Sequence, residues 1–508
     1  MAKKIFMFFE TSMNIHGVSF KGSRVSAVYY NDSHGQIKNV AGFFSARDKF
    51  FRQNKNEPNL TLSGGDVFLD TSKLNPLVAD VLVRETDAIA VGNHDIGSGE
   101  KYFKGLLKKF NLQNKFLASN VKFNDNELCE FVPKSKIITK NGEKIGIVAL
   151  SPFDYRKHAY NTAENQNIKI EDIQKSLRSL KKEVKALEKQ GINKIFLLAH
   201  TGEFGENGEN LYDEFSKLGG IDVIIGGHDH REVNRIQKSD RGEPVIIVST
   251  GRSAEHGFEE NLDYFGTLEL DFDDNGVLNG ENCKSRIIKT PKGDKSFEIK
   301  GKVIHTLLNP LFETDRMSGH SETGNLVADS NLWYVNTNTK GEKADIAFVN
   351  PGTIRGVFES KEITEEQVAS ILPFTSSKLV KAPLTKKQII KTLEHCAKST
   401  KEEKKYPGAM QVSGMEYTIT PDFSVKDVHI LNPDGSIKYN LDDFEDDKEF
   451  TVVYDTFLMT GVAGLSELRK EENDKTVEIF DISRQDVLIE YLKKSDKLFD
   501  YTQVRIKK

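Results

Sequence analysis

At 508 residues the chain is too long for one ordinary hydrophobic core and predicts two domains or more. Its composition, 37% hydrophobic and 29% charged, is that of a soluble globular protein. A net charge of -5 argues against a dominant nucleic-acid or anionic-membrane surface, which leans on excess Lys and Arg. The three cysteines, Cys129, Cys283 and Cys396, lack metal-ligand spacing and are too few for a disulfide scaffold. Behind the basic start Met1-Ala2-Lys3-Lys4 the apolar run Ile5 to Phe9 is shorter than the about 7–15 residues of a secretory signal. No later run approaches the ~18 residues that span a bilayer. The chain as given is expected to be cytoplasmic, and secreted only if its true start is missing. It is expected to be a monomer, with no membrane or nucleic-acid polymer as partner.

From residue 24 to about 275 the pattern repeats strand, turn, helix. Val25 to Tyr30, Leu60 to Leu62, Ala88 to Val91, Ile145 to Leu150, Ile195 to Ala199 and Val223 to Ile225 are short apolar runs that suit strands buried on both faces. Ile173, Leu177, Leu180, Val184 and Leu187 recur at helical spacing, and Gly191 stops that helix. An α/β layered domain follows. Around Asp271 to Gly276 a calcium loop fails, because its twelfth position is Asn282, so a solvated hairpin turn is expected. A domain boundary is expected in the Lys/Gly/Pro/Ser-rich residues 284–302. Beyond it, Thr323 to Trp333 and Lys387 to Ala397 read as helices. Ala344 to Val349, Val425 to Ile430 and Phe450 to Leu458 read as strands, with a hairpin turn at Asn432 to Gly435 and a solvated acidic loop at Asp442 to Asp447.

Five of the twelve histidines fall one to five residues past the ends of these strands, in Asn31-Asp32-Ser33-His34-Gly35, Gly92-Asn93-His94-Asp95, Ala199-His200 and Gly227-His228-Asp229-His230. Ser63-Gly64-Gly65-Asp66 has the same build. Binding groups collect at this edge of an α/β sheet. Asp32, His34, Asp66, Asn93, His200, His228 and His230 form the candidate metal set. Mixed carboxylate and imidazole ligands suit Zn, Mn, Fe or Co. Seven ligands exceed one tetrahedral ion and fit two ions about 3.5–4 Å apart, with Asp66 as the candidate bridge. His94, oriented by Asp95, is expected to stabilise charge on a transferring phosphoryl group or to protonate the leaving oxygen. The expected reaction is direct in-line attack of a metal-bridging hydroxide on phosphorus, without a phosphoenzyme.

These stretches, in this order, resemble the calcineurin-like metallophosphoesterases, and within them the bifunctional 5'-nucleotidase / 2',3'-cyclic-nucleotide phosphodiesterase family. Downstream, Glu322-Thr323-Gly324-Asn325-Leu326, Asn350-Pro351-Gly352-Thr353-Ile354-Arg355, Leu372-Pro373-Phe374 and Gln411-Val412-Ser413-Gly414 resemble segments of the same branch. The resemblance implies a four-layer α/β sandwich of two mixed sheets flanked by helices over residues 1–295. It also implies an interdomain linker, here over 296–317 and short beside the family's usual one, which would restrict or alter domain rotation, and an α+β substrate-binding domain over 318–508. It assigns Asp32, His34 and His230 to one ion and Asn93, His200 and His228 to the other. Asn350, Arg355 and Phe457 then belong to substrate recognition, Phe457 as one of two rings that clamp a base.

The chain departs from that pattern where the first of the two rings is expected, near Ala409, with Met410 as a partial substitute. It departs again at Gly461-Val462-Ala463-Gly464-Leu465, which lacks an acid and an aromatic. A missing stacking face weakens base binding by about 1–3 kcal/mol. The expected function is phosphate release from nucleoside 5'-monophosphates. The alternatives are hydrolysis of 2',3'-cyclic nucleotides or nucleotide sugars, hydrolysis of non-nucleotide esters, and non-catalytic nucleotide or metal binding.

Overall fold

The computed structural model describes residues 23–37, 39–154, 168–205, 207–251, 262–291, 301–312, 315–375, 377–401, 407–494 and 500–508. Two six-stranded mixed sheets form the N-terminal half. In the first, Ser23–Tyr30, Asn59–Ser63, Ala88–Ala90 and Phe116–Leu117 run parallel, and the antiparallel Tyr264–Phe272 and Lys284–Lys289 close one side. In the second, Glu143–Leu150, Ile195–Ala199, Val223–Gly226 and Pro244–Thr250 run parallel between antiparallel edges Ser135–Lys140 and Glu232–Lys238.

Alternation within each apolar run explains why both faces are buried. Val25, Ala27 and Tyr29 meet Ile147, Phe196, Leu198 and Ile225 between the sheets. Val28 and Tyr30 turn outward onto Val40, Phe43 and Phe103 of the helices Val40–Gln53 and Glu100–Lys109. On the other side Val148, Leu197 and Ile224 receive Leu180, Val184 and Leu187 of the helix Ile173–Glu188. Asp172 caps that helix by accepting from the Lys175 N–H at 2.8 Å, and Gly191, at φ 76°, follows its end. The result is helix, sheet, sheet, helix, with every parallel strand of the metal-set stretches ending at one edge.

The expected turn after Phe272 is a hairpin turn. Asp273 Oδ1 accepts the N–H groups of Asn275 and Val277 at 2.8 Å each, and Gly276 sits at φ 83°. Lys284–Lys289, inside the expected boundary region, is an edge strand of the first sheet, and 292–300 lie outside the described residues. Val303–Thr306, inside the expected linker, pairs with Glu362–Thr364. The C-terminal half is α+β, with a five-stranded sheet centred on Glu449–Asp455 and a four-stranded sheet through Val425–Leu431 and Met415–Ile419. The helices Glu322–Asn338 and Lys386–Ser399 cover the expected positions, and Asn432 and Gly435 form the expected turn. The strand expected to run to Leu458 stops at Asp455. Its carboxylate accepts the Leu458 N–H at 2.8 Å and caps the short helix Thr456–Met459, so Phe457 is helical and half-buried. Among the described residues no helix is long and apolar enough to cross a membrane.

Candidate metal centre

The strand ends turn sharply. Asp32, His34, Asp66, His228 and His230 all have φ between 46° and 89°. Such backbone is costly for residues with a Cβ, and its clustering marks a functional site. The turns aim alternate side chains into one place. Glycines clear the approach: a Cβ on Gly92 would lie 2.0 Å from Asp66 Oδ1, and one on Gly227 2.9 Å from His200 Nδ1.

The donors converge. Asp66 Oδ2 lies 3.3 Å from His34 Nε2 and 3.1 Å from His200 Nε2. Asp32 Oδ1 lies 3.5 Å from His230 Nε2 and 3.9 Å from His200 Nε2. His228 Nδ1 lies 3.0 Å from Asn93 Oδ1, and the His228 and His200 rings are 5.2 Å apart. Three groups have donor atoms within 4.8 Å of one another: Asp32, His34 and His230; Asp32, Asp66 and His200; His34, Asp66 and His94. They overlap at Asp32, His34 and Asp66, so this cluster is able to hold two metal ions. All seven residues of the sequence-derived metal set are thus brought to one place.

Surrounding contacts fix the donors. His200 Nδ1 lies 2.8 Å from the Gly64 carbonyl, which leaves Nε2 toward the carboxylates. Asn31 donates to Asp32 Oδ2 at 2.6 Å, and its own carbonyl oxygen accepts from Thr250 N–H and Oγ1. The His228 N–H donates to both Asp32 oxygens at 3.1 Å. Burial alone would raise the Asp32 and Asp66 carboxyls. The imidazoles of His230 and His200 outweigh it at Asp32, those of His200 and His94 at Asp66, and both are held below the usual carboxylate range. Burial opposes charge on His200, but Asp66 and then Asp32 push it up to about 9.

His94 and Asp95 part company. Asp95 was expected to orient the His94 ring. Its carboxylate instead accepts the backbone N–H groups of Asp66 (3.1 Å), Phe68 (2.7 Å) and Gly92 (2.8 Å) and braces the Asp66 loop. Burial and then Asp66 push its carboxyl up to about 7. The carboxylate beside His94 is that of Asp70, 3.3 and 3.4 Å from Nδ1. Burial disfavours charge on His94, yet Asp70 and Asp66 outweigh it and raise its pKa. Asp154 is a second residue the sequence did not reveal, with Oδ1 3.0 Å from His228 Nε2.

In the C-terminal half Arg355 lies over the Phe374 ring at 5.1 Å. This half touches the N-terminal loops: Thr375 Oγ1 meets Thr71 Oγ1 at 2.8 Å, Ser370 Oγ donates to Gln36 at 3.2 Å, and Lys73 meets Asp486 of the helix Arg484–Lys494 at 2.5 Å. The Arg355 backbone N–H donates to the Ile371 carbonyl at 2.7 Å, which ties its loop to the end of the helix Glu365–Ile371. Asn350 is buried and its Oδ1 accepts the Gly352 N–H at 2.9 Å, shaping the loop before Arg355. Arg484, also missed from sequence, is buried with Asp455 at 3.1 Å and donates to Thr353 at 2.6 Å, tying that loop to the strand before Phe457. Ala409 and Met410 are fully buried in the domain core, so Met410 does not substitute for a ring at the surface. Leu465 belongs to the same core.

Residues 27–232 match the model of the calcineurin-like phosphoesterase family, and residues 301–470 that of the 5'-nucleotidase C-terminal domain. The chain is 24% identical to the trifunctional nucleotide phosphoesterase protein YfkN of Bacillus subtilis over 95% of its own length, and spans 35% of that protein. It is 23% identical to a snake venom 5'-nucleotidase of Naja atra over 83% of each chain. The crystal structure of a 5'-nucleotidase precursor from Thermus thermophilus shares the fold at a TM-score of 0.59 and 23% identity, over 95% of this chain and 99% of that one. That of a 5'-nucleotidase from Candida albicans does so at 0.53 and 15%, over 94% and 99%.

Proposed function

This chain belongs to the calcineurin-like metallophosphoesterases of the 5'-nucleotidase family, and we propose that it releases phosphate from nucleoside 5'-monophosphates. The observation that carries the dimetal-hydrolase part of this reading is Asp66, one of whose oxygens stands within 3.3 Å of His34 Nε2 and 3.1 Å of His200 Nε2. A carboxylate so placed suits a bridge. Asp32, His34 and His230 are assigned to one cation and Asn93, His200 and His228 to the other. Bound there, two divalent cations supply Lewis-acid charge for the phosphate oxygens and a water acidic enough to attack phosphorus.

The chain's own groups do the rest. The His94 N–H donates to Asp66 Oδ1 at 2.9 Å, and the His94 ring stands edge-on to His34 with centroids 5.1 Å apart. This seats an imidazole over the donor cluster, where it protonates the leaving oxygen. Arg355 engages phosphate or ribose, and Phe457 offers one face to the base. The catalytic half is residues 1–295 and the substrate half 318–508, joined through 296–317.

The test is phosphate release from AMP, UMP and GMP with Mn or Zn supplied, beside cyclic nucleotides and nucleotide sugars. No release from the three monophosphates sinks the proposal. Asp66→Asn should bring turnover near background, and unchanged turnover removes the assigned bridge. Hydrolysis of non-nucleotide esters is the second reading. It is favoured by the burial of Ala409, Met410 and Leu465, which leaves Phe457 without a facing ring at these positions.

A further inference from the structure

His94 stands in the four-residue helix Asn93–Ile96, whose next residue is Gly97. Asp70 comes from a different loop, yet the two segments are tied: the Asp70 N–H donates to the His94 carbonyl at 3.1 Å. The Asp70 carboxylate, nearly buried, then faces His94 Nδ1. It is held from behind. The fully buried Asn75 donates through Nδ2 to the Asp70 carbonyl at 2.9 Å and accepts the Leu69 N–H at 3.1 Å.

Gly97 explains how the carboxylate fits. Its backbone, φ -59° and ψ -28°, is right-handed and open to any L residue, so no conformational demand requires glycine. Space does. A Cβ at 97 would lie 2.5 Å from Asp70 Oδ1. The loop turn at Asp70 itself, φ 41°, is the strained partner in this arrangement.

We propose that Asp70, admitted by Gly97, is the positioning residue of His94: by taking the Nδ1 hydrogen it fixes the ring so that Nε2–H faces the leaving oxygen. This rests on the hydrolase reading above. In that reaction water forms the new bond to phosphorus, the bond from phosphorus to the leaving oxygen breaks with its electron pair on oxygen, and the Nε2 proton moves to that oxygen. The proton lost by the attacking water restores the imidazole. The products are an alcohol and inorganic phosphate.

A leaving group that needs no proton distinguishes positioning from packing. Wild type, Asp70→Asn, Gly97→Ala and His94→Ala are compared on AMP and glycerol 3-phosphate, both alkyl esters, and on p-nitrophenyl phosphate, with bound metal measured in each. Asp70→Asn should lower kcat on the alkyl esters by on the order of 10–100-fold with KM little changed, as loss of a ring-orienting partner does. The loss on the aryl ester should be much smaller and the metal content retained. Gly97→Ala should reproduce this pattern, and His94→Ala should exceed it, at roughly 10²–10⁴-fold. Equal losses on alkyl and aryl esters, or losses that track missing metal, overturn the proposal. If wild type hydrolyses no ester, the hydrolase reading fails. If His94→Ala shows the contrast and Asp70→Asn does not, only the role of Asp70 fails.

Discussion

Gly92→Ala tests the placement of Asp66 without removing any donor. Gly92 adopts φ -92° and ψ 174°, extended backbone that alanine accepts, so only the added methyl matters. That methyl would lie 2.0 Å from Asp66 Oδ1 and 2.6 Å from its backbone N, where ordinary contact begins at 3.4 Å. The carboxylate must therefore retreat by more than an ångström, and with it goes the 2.9 Å hydrogen bond from the His94 N–H. A misplacement of about 1 Å in a reacting constellation costs on the order of 10²-fold in rate, or about 2.7 kcal/mol of barrier. Overpacking costs a further ~1–3 kcal/mol of stability. Phosphate release, metal content and thermal unfolding of the purified variant measure all three. The expected result is a folded protein with a lower Tm, depleted metal and kcat/KM down by about 10²-fold or more. A folded variant with wild-type turnover and metal content refutes the bridging placement of Asp66.

Four further outcomes follow from the structure. With only protein groups around it, His200 is raised from 6.5 to about 9, so at neutral pH a bound cation must displace its proton. Titration of Mn or Zn into chelator-treated protein should release protons, read as a binding heat that varies with buffer ionisation enthalpy; a buffer-independent heat counts against it. Because the folded pKa is the higher one, the stability His200 lends to chelator-treated protein is complete below 6.5 and lost as pH rises through about 9, so Tm falls across that window. Asp329→Ala strands Arg505, which donates to both Asp329 oxygens at 2.6 and 3.0 Å in a buried setting, and should cost about 3–5 kcal/mol in chemical denaturation; a loss under about 1 kcal/mol contradicts this. Phe457→Ala should weaken AMP binding by about 1–3 kcal/mol, seen as a raised KM, while leaving p-nitrophenyl phosphate unaffected; equal effects on both substrates rule out base stacking.

The strands and the metal set were legible because their signal is local. Apolar runs of three to six residues with donors just past the end need only their apolar character and glycine to be read. Asp95 was misread for an equally physical reason. Successive residues of a helix project to different sides, so His94 turns to the open face while Asp95 turns inward to three backbone N–H groups. The true neighbour, Asp70, is 24 residues away and reaches His94 only because Gly97 has no side chain. The remaining trace of it in sequence is an Asp four residues after Asp66 and a Gly three after His94, which carries no period. The end of the strand at Asp455 had a local signal, since Asp before Thr-Phe-Leu is an N-cap pattern, but the apolar run through Leu458 masked it.

Strain and charge meet at the same few residues, and this bears on how the site holds together. Asp32, Asp66, Asp70 and Asp95 are all buried within one loop cluster, and Asp32, Asp66 and Asp70 also carry positive φ. Like charges so close are costly unless compensated. Three backbone N–H groups hold Asp95, whose carboxyl burial and Asp66 still push up to about 7, and a buried asparagine and His94 secure Asp70. Asp32 and Asp66 face mainly imidazoles, which compensate only while protonated. Two divalent cations would replace those protons with fixed charge at every pH where the enzyme works, and so stabilise the strained turns that create the site. The donor cluster and the fold of its loops would then be one device: the turns bring the carboxylates together, and cations bound there would make their closeness tolerable.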